Sequence, residues 1–171
     1  MLKSSSQLLI TSILTSFLPF YIPLLPTTPT QHLHLALVQL LPGIVEKLND
    51  PKERVHSASN TCVALFGRKC YEAEPAPTLS TSTVKGKEKE GLVGFWERHV
   101  RETMTGKGWR GKVEVMKMLL SLRKESRLSL KPWLSPLVDL LEDGDGNVRD
   151  QAREVGIVTE TRADDRPWWL C

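Results

Sequence analysis

A chain of 171 residues, 40% hydrophobic and 25% charged, is long enough for one domain with a buried core and short for a complete solenoid, which leaves a fragment as one expectation. A net charge of +3 is too small to name a partner by itself. Three cysteines without paired spacing, Cys62, Cys70 and Cys171, argue against a disulfide framework and for a reducing compartment.

Residues 7–24 have helical period, with Pro19 and Pro23 placed to end or kink the helix. The apolar run over 8–25 has two readings, a secretory signal or membrane anchor and a set of buried solenoid helices. Its prolines and the continuing Leu33, Leu35 and Leu40 favour the second. A Pro-Thr turn at 26–30 leads into a helix from His34 to Asn49, for which the spacing predicts a buried face of Leu35, Val38, Leu41, Ile44, Val45 and Leu48 and a kink at Pro42. After Asp50-Pro51 the next helix presents Val55, Ala58, Cys62, Leu65 and Phe66.

Residues 72–90 have almost no apolar content and read as a flexible loop. Helix resumes with Leu92, Phe95, Trp96, His99, Val100 and Met104, turns at Gly106-Lys107-Gly108, and continues from Trp109 with Val113, Met116, Leu119, Leu120 and Leu122 on one side. A last pair spans 132–142 and 148–159, after which the tail abandons the period. No strand signal appears anywhere. The expected organisation is an apolar segment over 1–33, a solenoid over 34–158 and an irregular tail over 159–171.

One pattern is written twice. Leu41 to Asn49 ends in Asp50, turns through 51–54 and restarts at Val55; Leu134 to Glu142 ends in Asp143, turns through 144–147 and restarts at Val148. An apolar helix, a short turn and a second apolar helix make a unit that cannot bury its face alone, so it stacks on its neighbours. Such stacks are binding surfaces more often than catalysts.

The motifs that suggest chemistry fit poorly. Gly106-Lys107-Gly108-Trp109-Arg110-Gly111-Lys112-Val113 has the glycines of a phosphate-binding loop, but no strand precedes it and Val113 stands where a hydroxyl would hold magnesium. Asp143, Asp145, Asn147 and Glu154 match part of a calcium loop that has Val148 where its sharp turn requires glycine. His32, His34, His56 and His99 are scattered. No nucleophile with a paired base is visible, so neither an enzyme nor a cofactor is expected.

The charge distribution is more informative. From Ser4 to Val45 there is no Asp, Glu, Lys or Arg, whereas Lys85 to Lys131 holds thirteen basic against six acidic residues. In a stack of helix pairs the turns align along one edge. Lys52 and Arg54, then Lys107, Trp109, Arg110 and Lys112, then Asn147 and Arg149 would form a basic ridge there, suited to an acidic partner. Trp109 has two readings, an anchor on that partner or a side chain packed between repeats.

Leu41–Ala58, Lys107–Leu120 and Leu140–Ala152 resemble consecutive HEAT repeats of a TOG domain, most nearly the N-terminal TOG-like region of the CLASP family of microtubule-associated proteins in its fungal members. The likeness covers residues 34–158 and takes in 7–24 as the second helix of a preceding repeat. It implies an all-α solenoid of HEAT-type helix pairs, a partial TOG domain. It further implies tubulin binding through the intra-repeat turns, microtubule stabilisation, and work at spindle and kinetochore in cell division. The implied location is the cytoplasm and spindle microtubules, with the nucleus and kinetochore in mitosis. No small-molecule substrate, nucleic acid or membrane is expected as a partner. A HEAT scaffold for a different protein partner is the other reading.

Overall fold

The structure is a computed structural model describing residues 7–28, 30–74, 91–125 and 130–160. In chain order these form α1 (Gln7–Ser12), a π-helical turn (Ile13–Phe17), α2 (Leu18–Leu24), α3 (Thr30–Glu46) with a 3-10 turn (Lys47–Asn49), α4 (Glu53–Ala73), α5 (Leu92–Thr105), α6 (Trp109–Lys124), a 3-10 turn (Lys131–Trp133), α7 (Leu134–Leu141) and α8 (Gly146–Glu160). No strand occurs among the described residues. Most of the loop expected over 72–90, and most of the tail expected over 159–171, lies outside them; residues 72 and 73 finish α4.

The helices pair and stack in two layers, as the doubled pattern predicts. α3 packs on α4, α5 on α6 and α7 on α8; α2, α4, α6 and α8 succeed one another in one layer, and α3, α5 and α7 in the other. Residues 7–24 lie against α4, in the layer that α4, α6 and α8 continue.

That first helical run is bent by its own chemistry. Proline has no N–H to donate. The chain meets Pro19 by widening into a π turn, in which the Leu18 N–H reaches back five residues to the Ile13 carbonyl. The Leu14 carbonyl then has Pro19 as its five-residue partner, and the Cys62 thiol of α4 donates to it at 3.4 Å. Leu14, Leu18 and Ile22 are buried, which seats the apolar run on α4. Leu8, Phe17, Phe20 and Leu24 on its other side are exposed, with Phe17 stacked on Tyr21 at 5.4 Å. No helix among the described residues is long and apolar enough to cross a membrane.

α3 differs from its expected face. It begins at Thr30 and buries Leu33, Ala36, Leu37, Leu41 and Ile44, while Leu35 and Val38 are exposed. Leu35 and Val38 share one side of the helix with Gln31, His34, Gln39 and Pro42, all exposed, and the buried residues lie opposite against the neighbouring helices. Pro42 lies inside the helix without ending it. Both Pro42 and Val38, whose carbonyl loses its helical partner, are on the solvent side.

At the centre of the stack Trp96 is fully buried, edge-on to Tyr71 and Trp133 at centroid distances of 6.0 and 6.1 Å. Its indole N–H donates to the Val63 carbonyl at 2.9 Å. Gly67 makes room for it: a Cβ there would stand 2.7 Å from the Trp96 ring. Burial pushes the Cys62 and Cys70 thiols up to about 12, so both are protonated at neutral pH.

Two outcomes follow from this packing. Gly67→Ala gains about 1 kcal/mol of helix propensity but drives a methyl into a held ring, at a cost of about 1–3 kcal/mol; a lower melting temperature by calorimetry is expected, and a raised one would contradict the packing. Cys62 and Cys70 should resist thiol reagents in the native protein and react on addition of urea.

Candidate functional site

The turns between paired helices are held by side chains reaching across repeats. A helix leaves its first N–H groups without intrahelical partners, and an Asn, Asp, Ser or Thr at the N-cap ordinarily accepts from one of them. α5 and α6 both start after glycine, Gly91 and Gly108, which has no side chain to offer. Each borrows a cap. The Glu74 carboxylate, at the end of α4, accepts from the Leu92 and Val93 N–H groups at 3.0 and 3.2 Å, a charge placed well for the positive end of α5. Asn49, in the turn of the preceding pair, accepts from the Gly111 N–H through Oδ1 at 2.9 Å.

The glycines of that turn make this approach feasible. A Cβ on Gly108 would sit 1.9 Å from Asn49 Oδ1, and one on Gly111 2.7 Å from the same oxygen. The loop that resembles a phosphate cradle thus holds the oxygen of a neighbouring asparagine, between two helices, and serves as the expected helix-to-helix turn. Further along, Asn60 of α4 donates to the Glu114 carboxylate at 2.6 Å and to the Glu114 carbonyl at 2.9 Å, and Lys117 meets the other carboxylate oxygen at 3.0 Å. A buried carboxylate in mid-helix costs free energy unless it is paired in this way.

The next turn is tied on by Lys112. Its Nζ donates to Asp143 Oδ2 at 2.6 Å, with both side chains largely out of solvent. Asp143 Oδ1 accepts from the Asp145 N–H at 2.9 Å, and Arg149 donates to the Asp143 and Gly144 carbonyls at 2.7 and 3.0 Å. Asp145 caps α8 through the Asn147 N–H at 2.8 Å. The hydrogen bond from Lys112, then that from the Asp145 backbone, holds the Asp143 carboxyl below its ordinary range. The partial calcium-loop pattern is therefore a capped turn, with Val148 fully buried.

The expected ridge residues fall into two groups. Lys52, Arg54 and Lys107 are exposed, and Trp109, 37% exposed, carries the Arg110 guanidinium over its ring at 4.6 Å. Trp109 therefore stands at the surface of the turn. Lys112 and Arg149 are engaged with the neighbouring turn and their own, and Asn147, though exposed, bonds back to Asp145. Asn49, Asn60 and Glu114 were not singled out in the sequence, and Asp143 only as part of a calcium-loop pattern. Two consecutive helices starting after glycine were the available signal for the borrowed caps.

No family model and no solved structure matches the chain. Curated relatives do. Protein STU1 of Cryptococcus neoformans var. neoformans serotype D is 49% identical over 90% of this chain, and Protein STU1 of Mycosarcoma maydis 33% identical over 89%. Protein STU1 of Gibberella zeae is 34% identical over 68%. The chain spans 14%, 12% and 8% of these relatives' lengths respectively.

The lowered Asp143 carboxyl makes the tie between turns sensitive to acid. A carboxyl depressed in the folded state contributes stability above its unfolded value, near 3.9, and loses that contribution as pH falls through the folded value. Asp143→Asn is expected to be less stable than the parent at pH 7, with the gap closing below about pH 4. Denaturant melts at both pH values would show it, and a gap independent of pH would argue against the ion pair.

Proposed function

The chain belongs to the CLASP family of microtubule-associated proteins, in which its fungal STU1 relatives stand, and from that premise we propose that it binds tubulin through the exposed edge of its repeat turns. The observation that carries this reading is the juxtaposition of Lys52, Arg54, Lys107 and the Trp109–Arg110 pair, outward-facing on turns that the Asn49–Gly111 hydrogen bond ties together.

The chemistry of such an edge is complementary to an acidic protein surface. Exposed cations steer an acidic partner and set register, while affinity comes from a few desolvated anchors. Trp109 is the anchor: a rigid aromatic at the surface with a guanidinium over its face offers apolar area and charge together. The action is binding without catalysis, with no cofactor, nucleic acid or small-molecule substrate. By the same reading the chain stabilises microtubules and serves the mitotic spindle and kinetochore in cell division.

Co-sedimentation of the chain with microtubules tests this. The parent is expected to pellet with them, less so as salt rises. Lys52, Arg54, Lys107 and Arg110 changed together to Glu should stay in the supernatant, and Trp109→Ala should weaken binding roughly thirtyfold or more, the scale of an interface anchor. A parent that folds by circular dichroism yet neither pellets nor associates with free tubulin would overturn the tubulin reading and leave a scaffold for another protein.

A further inference from the structure

We infer that Asn49 is a positioning residue for the Trp109–Arg110 edge, and that Gly108 and Gly111 are glycines because they form its socket. The binding role rests on the tubulin reading above; the socket does not.

Gly108 immediately precedes α6 and Trp109 opens it, so Trp109 and Arg110 stand between the two socket glycines. The first turn of a helix frays unless its N–H groups are met. The oxygen meeting the Gly111 N–H comes from Asn49, one turn back in the stack, at 2.9 Å. One hydrogen bond thereby does two things: it caps the helix that carries the aromatic–cation pair, and it joins that helix to the turn carrying Lys52 and Arg54. A Cβ on Gly108 would lie 1.9 Å from Asn49 Oδ1, inside any real contact, and one on Gly111 2.7 Å. The side chain therefore enters only while both positions are glycine.

Neither glycine needs its conformational freedom for this. The backbone at Gly108 has φ −81° and ψ 105°, which other residues adopt readily, and Gly111 lies inside α6. Helix propensity favours alanine over glycine at position 111. The space taken by Asn49 is what both positions share.

Backbone amide hydrogen exchange of the full chain reads the socket directly. In the parent the Gly111 amide should be protected, although it lies in a first helical turn. Asn49→Ala should speed its exchange roughly two- to thirtyfold, the range spanned by loss of one cap, while amides in the middle of α4 and α8 keep their rates. Gly108→Ala should do the same by evicting the Asn49 side chain. The two changes together should do no more than either alone, because they break one interaction. Unchanged exchange in Asn49→Ala, or effects that add, would overturn the socket.

Microtubule co-sedimentation over a salt series reads the positioning. Asn49→Ala should weaken binding with the salt dependence of the parent, since no interfacial charge is lost, whereas Arg110→Ala should weaken it and flatten that dependence. A loosened Gly111 amide with binding equal to the parent's would overturn the positioning role. A parent that does not bind would instead sink the tubulin reading, and with it that role, and leave the exchange result to decide the socket alone.

Discussion

The N–H groups left over at the start of each helix are the constraint on which this stack depends. A solenoid has many helix starts for its length, and each presents donors that must be met. In α8 the answer is local, Asp145 capping its own helix. In α5 and α6 it is not, because glycine occupies the cap and an acceptor arrives from elsewhere: Glu74 for one, Asn49 for the other. Local helix formation and long-range docking thereby become one event. α6 is completed only when the preceding turn is in place.

Apolar packing supplies the bulk of the cohesion, and the polar contacts supply register. Buried apolar side chains along α3, α4 and α6 slide past one another at modest cost, whereas a hydrogen bond that must be made once a group is buried permits one alignment. Asn60 on Glu114, the indole of Trp96 on the Val63 carbonyl, and the Cys62 thiol on the Leu14 carbonyl each mark a place where two helices meet at one height only. Trp96 adds a steric limit through Gly67, since the ring lies against a helix backbone that has no side chain at that point.

The distribution of charge follows from the same division. A cation that ties two turns together or braces its own is engaged inside the molecule, as Lys112 is on Asp143 and Arg149 is on the carbonyls of its own turn. Elsewhere on the edge Lys52, Arg54 and Lys107 are exposed, and the half-buried Arg110 lies over Trp109. The binding surface that we propose is narrower than the row of basic residues suggests, and its shape depends on residues with no outward role.

Period, turn chemistry and the doubled pattern were enough to read an all-α stack and the order of its pairs, because helix formation and apolar patterning are local properties of the chain. The basic, aromatic-bearing turns were legible for the same reason. Three things were not. The buried face of α3 differs from the stripe that the spacing predicts: Leu35 and Val38 lie on the exposed side with Gln31, His34 and Gln39, and Leu33 and Leu37 lie inward where α4 and α5 pack. The glycines at 108 and 111 looked like a phosphate loop, because a cradle for a phosphate oxygen and a cradle for an asparagine oxygen need the same small residues. Lys112 looked like its neighbours Lys107 and Arg110, since a charge records nothing of its partner until Asp143, thirty-one residues on, is brought to 2.6 Å. Sequence determined which segments are helical and which turns are charged; tertiary structure decided which cations are tied to a neighbouring turn and which stay at the surface, because that depends on neighbours distant in the chain.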